Sequence, residues 1–184
     1  MTAILKDSDI GSILREDCIL CICKLLEGKN LQKRRHVKEL IPSLIEVLNK
    51  DDSSSIRNNG LWILKFIIEA NESIILKIAK SEGIETIIKL LDIEDENQLN
   101  SVINLIGKIA EFKNSYAEHI VNCGVLSYFK KLLNSELNDL ILEELIWTLA
   151  KICKAYNKFA DEIIKQGLDK NIINCFSNSS EEIK

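Results

Sequence analysis

Apolar residues keep one helical register along most of this chain, and the register itself recurs. Leu20, Trp62, Asn104 and Trp147 mark one column, spaced about 42 residues apart. Two places later stand Ile22, Leu64, Ile106 and Leu149; five places later, Leu25, Ile67, Ile109 and Ile152; one place earlier, Ile19, Leu61, Ile103 and Ile146. These offsets share one side of a helix with a 3.6-residue period. They predict four long amphipathic helices, the first over Gly11–Leu26. A shorter helix precedes each of the last three, with Ile41, Ile84 and Val125 in one column and Ile45, Ile88 and Phe129 in another. Leu168 and Ile172 continue those columns into a final short helix.

Punctuation repeats with the helices. Gly83, Gly124 and Gly167 mark a corner before the short helix; one period earlier Leu40 takes the place, and Pro42 follows inside the helix, where a missing N–H costs little. The turns at Asp51–Ser55, Asp92–Asn97 and Asn134–Asn138 offer Ser, Asp and Asn as N-caps for the long helices. Asp9 or Ser12 is the candidate cap of the first. The acids of Asp92–Asn97 lack the alternating ligands, central Gly and terminal Glu of a calcium loop, so they read as a capping turn.

A unit of about 42 residues with a glycine corner, a short helix, a polar turn and a long amphipathic helix resembles the armadillo repeat. The corner in SEGIETIIKLL and NCGVLSYFKKLL, and the LW-x-L core at Leu61–Leu64, carry the resemblance, which covers nearly the whole chain. HEAT repeats are the runner-up; they are usually two-helix units, and their Asp/Arg ladder is missing here. The resemblance implies an all-α, right-handed superhelical solenoid. Its single domain would hold a partial repeat over 1–27, full repeats over 28–70, 71–113 and 114–155, and a partial repeat or cap over 156–184. Met1–Leu5 would be a remnant of an earlier short helix. The last unit has no third helix to cover Ile173, Cys175 and Phe176, so its apolar edge would be capped by the tail, by further chain or by a second copy.

Composition narrows the function classes. The 184 residues are 46% hydrophobic but only 5% aromatic, which predicts an aliphatic core, and one proline suits an almost wholly helical chain. A net charge of −4 argues against a dedicated nucleic-acid binder. No apolar run is long enough to span a bilayer and no signal peptide opens the chain. Cys18, Cys21, Cys23, Cys123, Cys153 and Cys175 do not form a zinc pattern; the first three read as small core residues, and a helical chain of this size fits a reducing cytoplasm or nucleus. Lys33–Lys38, KRRHVK, reads as a solvated basic face, with a localisation signal as the alternative; His36 and His119 read as structural or surface residues. There is no nucleophile–base pair, metal cluster or phosphate loop, so an enzyme and a cofactor are not expected.

The long third helices carry the candidate site. The resemblance implies that they line a groove for an extended peptide of another protein. Their polar side holds Glu16, Asp17, Leu20, Lys24 and Glu27; then Asn58, Asn59, Trp62, Phe66 and Glu69; then Asn100, Ser101, Asn104, Lys108 and Glu111; then Glu143, Glu144, Trp147, Lys151 and Lys154. Trp62 and Trp147 are either wedged between neighbouring third helices or form shelves for a ligand's aliphatic or cationic side chain. Importin-α-like members carry W-x-x-x-N here, with the Asn clamping the ligand backbone. This chain has Lys24, Phe66, Lys108 and Lys151 at that place, and a lysine cannot accept a hydrogen bond. Lysines there look more like the groove of β-catenin, which receives acidic segments, but acids on the same face leave its charge mixed. The expected function is a non-enzymatic peptide-binding scaffold, with backbone contacts from Asn58, Asn59, Asn100 and Asn104 and side-chain contacts from the aromatics. The alternatives are a nuclear-transport adaptor for a basic signal and an array assembled end to end.

Overall fold

A computed structural model of the chain describes residues 11–27, 38–50, 53–70, 73–80, 82–155 and 158–179. All regular structure among them is helical. The helices are α1 (Ser12–Glu27), α2 (Ile41–Lys50), α3 (Ser54–Ala70), α4 (Ser73–Lys80), α5 (Gly83–Lys89), α6 (Glu96–Phe112), α7 (Asn114–Asn122), α8 (Val125–Leu133), α9 (Asp139–Ala155), α10 (Lys158–Gln166) and α11 (Leu168–Ser179). Short 3-10 turns lie at Lys38–Leu40 and Leu90–Asp92. No described helix is long and apolar enough to cross a membrane. Met1–Leu5, Asp9, His36 and most of Lys33–Lys38 lie outside the described residues.

The chain divides into two compact units, Met1–Lys89 and Leu90–Lys184. The boundary falls where α5 passes into the Leu90–Asp92 turn, inside the second helix of one expected repeat.

The long helices begin where the capping side chains permit. The Asp95 carboxylate accepts from the Gln98 N–H at 2.9 Å, and the Asn138 Oδ1 accepts from the Ile141 N–H at 2.9 Å. The Ser53 hydroxyl oxygen accepts from the Ile56 N–H at 3.4 Å. Such caps are worth about 1 kcal/mol each. At α1 the expectation changes: Ser12 is already helical, and the Gly11 carbonyl accepts the first helical N–H groups, from Leu14 and Arg15.

The glycine corners are not equivalent. Gly124 and Gly167 take φ of 83° and 74°, the left-handed conformation glycine adopts without strain. At the preceding corner Glu82 takes the left-handed turn instead, at φ 55°. Gly83 serves close approach, since a Cβ there would lie 2.7 Å from the Ile78 carbonyl oxygen.

In the first unit the core is built from Ile19, Ile22 and Leu26 of α1, Ile41, Leu44, Ile45 and Leu48 of α2, and Leu61, Leu64 and Ile67 of α3. Gly60 lets α3 approach α2, where its Cβ would lie 2.8 Å from Leu48 Cδ2. In the second unit, Ile103, Ile106 and Ile109 of α6 share the core with Phe129 of α8 and Leu145, Leu149 and Ile152 of α9. Each such side chain contributes about 1.5–3 kcal/mol by leaving water. Two expectations fail on α1. Leu25, in an apolar column, is 39% exposed, whereas its neighbour Leu26 is buried. Cys21 is also exposed, although Cys18 and Cys23 are buried as expected.

Candidate peptide-binding surface

The polar side of the third helices stays open. None of the described side chains expected there is buried. Those expected site residues fall in both units: Lys24, Asn58, Asn59, Trp62 and Phe66 in the first, the remainder in the second.

In the first unit Lys24 and Asn58 are exposed, and Asn59 and Phe66 are half-buried. Trp62 and Phe66, one helical turn apart, stack at 5.1 Å between ring centroids with 15° between planes. Trp62 keeps 37% of its surface exposed. It is therefore both a partner to Phe66 and an open aromatic face. The backbone carbonyl of Asn59 is already used: the Cys23 thiol donates to it at 3.8 Å, joining α1 to α3. Ser55 donates to the Glu16 carboxylate across the same pair of helices.

The second unit assembles most of its expected residues around one feature. Asn100 and Asn104 of α6, with Leu140, Glu143, Glu144, Trp147 and Lys151 of α9, line an open depression of about 390 Å³. Close packing beneath it sets the geometry. A Cβ on Gly107 would lie 2.8 Å from Thr148 Oγ1, so α6 must be bare there. The fully buried Thr148 hydroxyl donates to the Ile103 carbonyl at 3.2 Å, which satisfies it.

Around the rim the polar groups are held but not exhausted. Asn104 Nδ2 donates to Glu144 Oε1 at 2.9 Å, which orients both side chains. The side-chain carbonyl oxygens of Asn100 and Asn104 are buried and have no hydrogen-bond partner. Both oxygens are closed off in this arrangement, so a ligand's donor reaches them only once the amides turn outward. Lys151 lies 4.0 Å from Glu111, a pair whose carboxylate side is 62% exposed and so worth little. Trp147 stands over this rim with 60% of its surface exposed.

Lys108 is half-buried on α6 and does not line the depression. Leu140, 72% exposed, lines it and was not expected there. Its signal was its place two turns before Trp147 on the same helix side, an apolar residue where a solvated polar one would be ordinary.

No protein-family model matches the sequence. Among solved structures, a designed armadillo repeat protein superposes with a TM-score of 0.77 at 20% identity, covering 92% of this chain and 70% of that one. The fold is that of the armadillo repeat. A second armadillo match, computationally designed for modular peptide recognition, has a TM-score of 0.77 at 20% identity and covers 90% of this chain and 68% of that one. A third is a designed armadillo repeat protein in complex with the peptide (KR)4; its TM-score is 0.74 at 21% identity, covering 90% of this chain and 68% of that one. The armadillo fold accounts for the helix order found here.

Proposed function

We propose that this armadillo-fold chain is a non-enzymatic scaffold that binds an extended segment of another protein along its third-helix surface. The observation that carries the reading is Trp147, 60% exposed beside two asparagines whose buried side-chain oxygens lack donors. An extended peptide suits this rim: its side chains can lie on the exposed indole face, and its backbone N–H groups can pair with the two asparagine amides once these turn outward. The designed neighbours made for, or solved with, peptides support the same use of the fold.

A basic segment is the second reading, and Glu143 and Glu144 beside Trp147 favour it. Lys151 weakens that attraction only in part, because Glu111 stands near it. Against an importin-type clamp, Lys24, Phe66, Lys108 and Lys151 stand where that mode needs an asparagine.

The test is fluorescence anisotropy with a basic and an acidic extended peptide of equal length, each at two salt concentrations. Binding of either that is lost in Trp147→Ala, with the helical signal unchanged, supports the scaffold. A preference for the basic peptide selects the adaptor reading; a preference for the acidic one, lost in Lys151→Glu, selects a β-catenin-like scaffold. If neither peptide binds at millimolar concentration, the proposal fails.

A further inference from the structure

Third helices stack on one another by a fixed pair of faces. In α6 and α9 the contact is made by Gly107 on the trailing side of one helix and Thr148 on the leading side of the next, with Thr148 bonded to the Ile103 carbonyl at 3.2 Å. In α1 and α3 the same trailing place is held by Cys23, whose thiol reaches the Asn59 carbonyl at 3.8 Å. Two observed interfaces thus define which side leads and which trails.

Among the described residues, nothing covers the leading side of α1. Cys21 is exposed where Ile63, Leu105 and Thr148 are 1%, 0% and 0% exposed in the other third helices. Leu14 is 47% exposed where Ile56, Gln98 and Ile141 are 0%, 0% and 1%. Leu25 is 39% exposed where Ile67, Ile109 and Ile152 are 1%, 1% and 0%. Every one of these three positions is closed elsewhere and open here.

The trailing side of α9 is open in the complementary way. Ile146 is half-buried where Ile19, Leu61 and Ile103 are 0%, 1% and 0% exposed. Cys153 is half-buried where Leu26, Ile68 and Ala110 are closed. Ala150, in the place of Gly107, is exposed. Beyond α9, helices α10 and α11 form a pair with half-buried Ile172 and Cys175, at places where Phe129 and Leu132 are buried.

We infer that a second copy of this chain docks head to tail, its α1 serving as the third helix for α10 and α11 of the first. The register of the α6–α9 contact then sets Ala150 of one copy against Cys21 of the next, as Gly107 meets Thr148. Such a contact joins unlike faces, so a two-chain species keeps one free face of each kind for a further copy. Burial of the exposed leucines at the junction supplies the drive. This association stands apart from the peptide-binding reading, since the faces it uses are not those of the Trp147 depression.

The test is sedimentation velocity of the full chain from micromolar to millimolar concentration, with Cys21→Glu and Ala150→Glu as variants at exposed positions. The wild type should grow beyond a dimer as concentration rises. Each variant alone should stay at the mass of one chain with unchanged helical content. Mixed one to one, the variants should form a two-chain species, because each keeps the face the other has lost. A wild type that remains a single chain throughout overturns the inference. So does a dimer that Ala150→Glu leaves intact, or a mixture that fails to recover a two-chain species.

Discussion

Trp62 and Trp147 occupy one column of the repeat and do different things. Four places further along the helix, Trp62 meets Phe66, and the rings stack at 5.1 Å. Trp147 has Lys151 at that place, and the lysine turns towards Glu111 of α6 instead. The indole of Trp147 is left 60% exposed, against 37% for Trp62. Trp62 gives part of its surface to a ring on its own helix, whereas Trp147 has a lysine at that place. The helix pairs beneath differ as well. Gly107 brings α6 and α9 close enough for a buried Thr148 hydroxyl bond, whereas at the matching place on α1 a weaker thiol contact reaches α3.

The contrast is easiest to break at its base. Gly107→Val should push α9 away from α6, because its branched side chain has no room beside Thr148. We expect a loss of about 1–3 kcal/mol in urea unfolding, together with loss of peptide binding. An unchanged unfolding midpoint would show that the close approach does not matter.

The tryptophans come next. Trp62→Ala should cost about 1–2 kcal/mol, and a double-mutant cycle with Phe66→Ala should show coupling of about 0.5–1.5 kcal/mol. Trp147→Ala should shift stability by no more than about 0.5 kcal/mol while abolishing binding. Equal losses of stability from the two substitutions would remove the distinction between them.

Asn100→Leu sharpens the functional side. It deletes a buried acceptor that has no partner, so thermal unfolding should move upward, by about 1 kcal/mol, while peptide affinity falls. A loss of stability would mean that the Asn100 oxygen is satisfied in solution. The smallest effect belongs to Glu111→Gln. Freeing Lys151 should change stability by under about 0.5 kcal/mol, yet weaken binding of a basic peptide relative to an acidic one at low salt. The difference should fade as salt is raised.

Most of the helices were legible from periodicity alone. The third-helix columns, the capping turns and the polar side all appear where their spacing places them, since helix geometry depends on neighbours three and four residues away. The departures come where neighbours are distant in sequence. Leu25 has the same local pattern as Ile67, but nothing covers it, so it is exposed. Cys21 departs from Cys18 and Cys23 for the same reason. Leu140 shows an apolar residue on the polar side of its helix, but only the depression beside it gives that place a use.

The sequence by itself determined the helical repeat, its period of about 42 residues and the side of each third helix that stays polar. These follow from short-range geometry, which a chain carries wherever it goes. Tertiary structure decided which glycine turns left-handed and which only makes room, which tryptophan stacks and which stands open, and which apolar faces stay exposed. Those outcomes depend on what packs from roughly 40 residues away, and burial is a property of both partners rather than of either sequence segment.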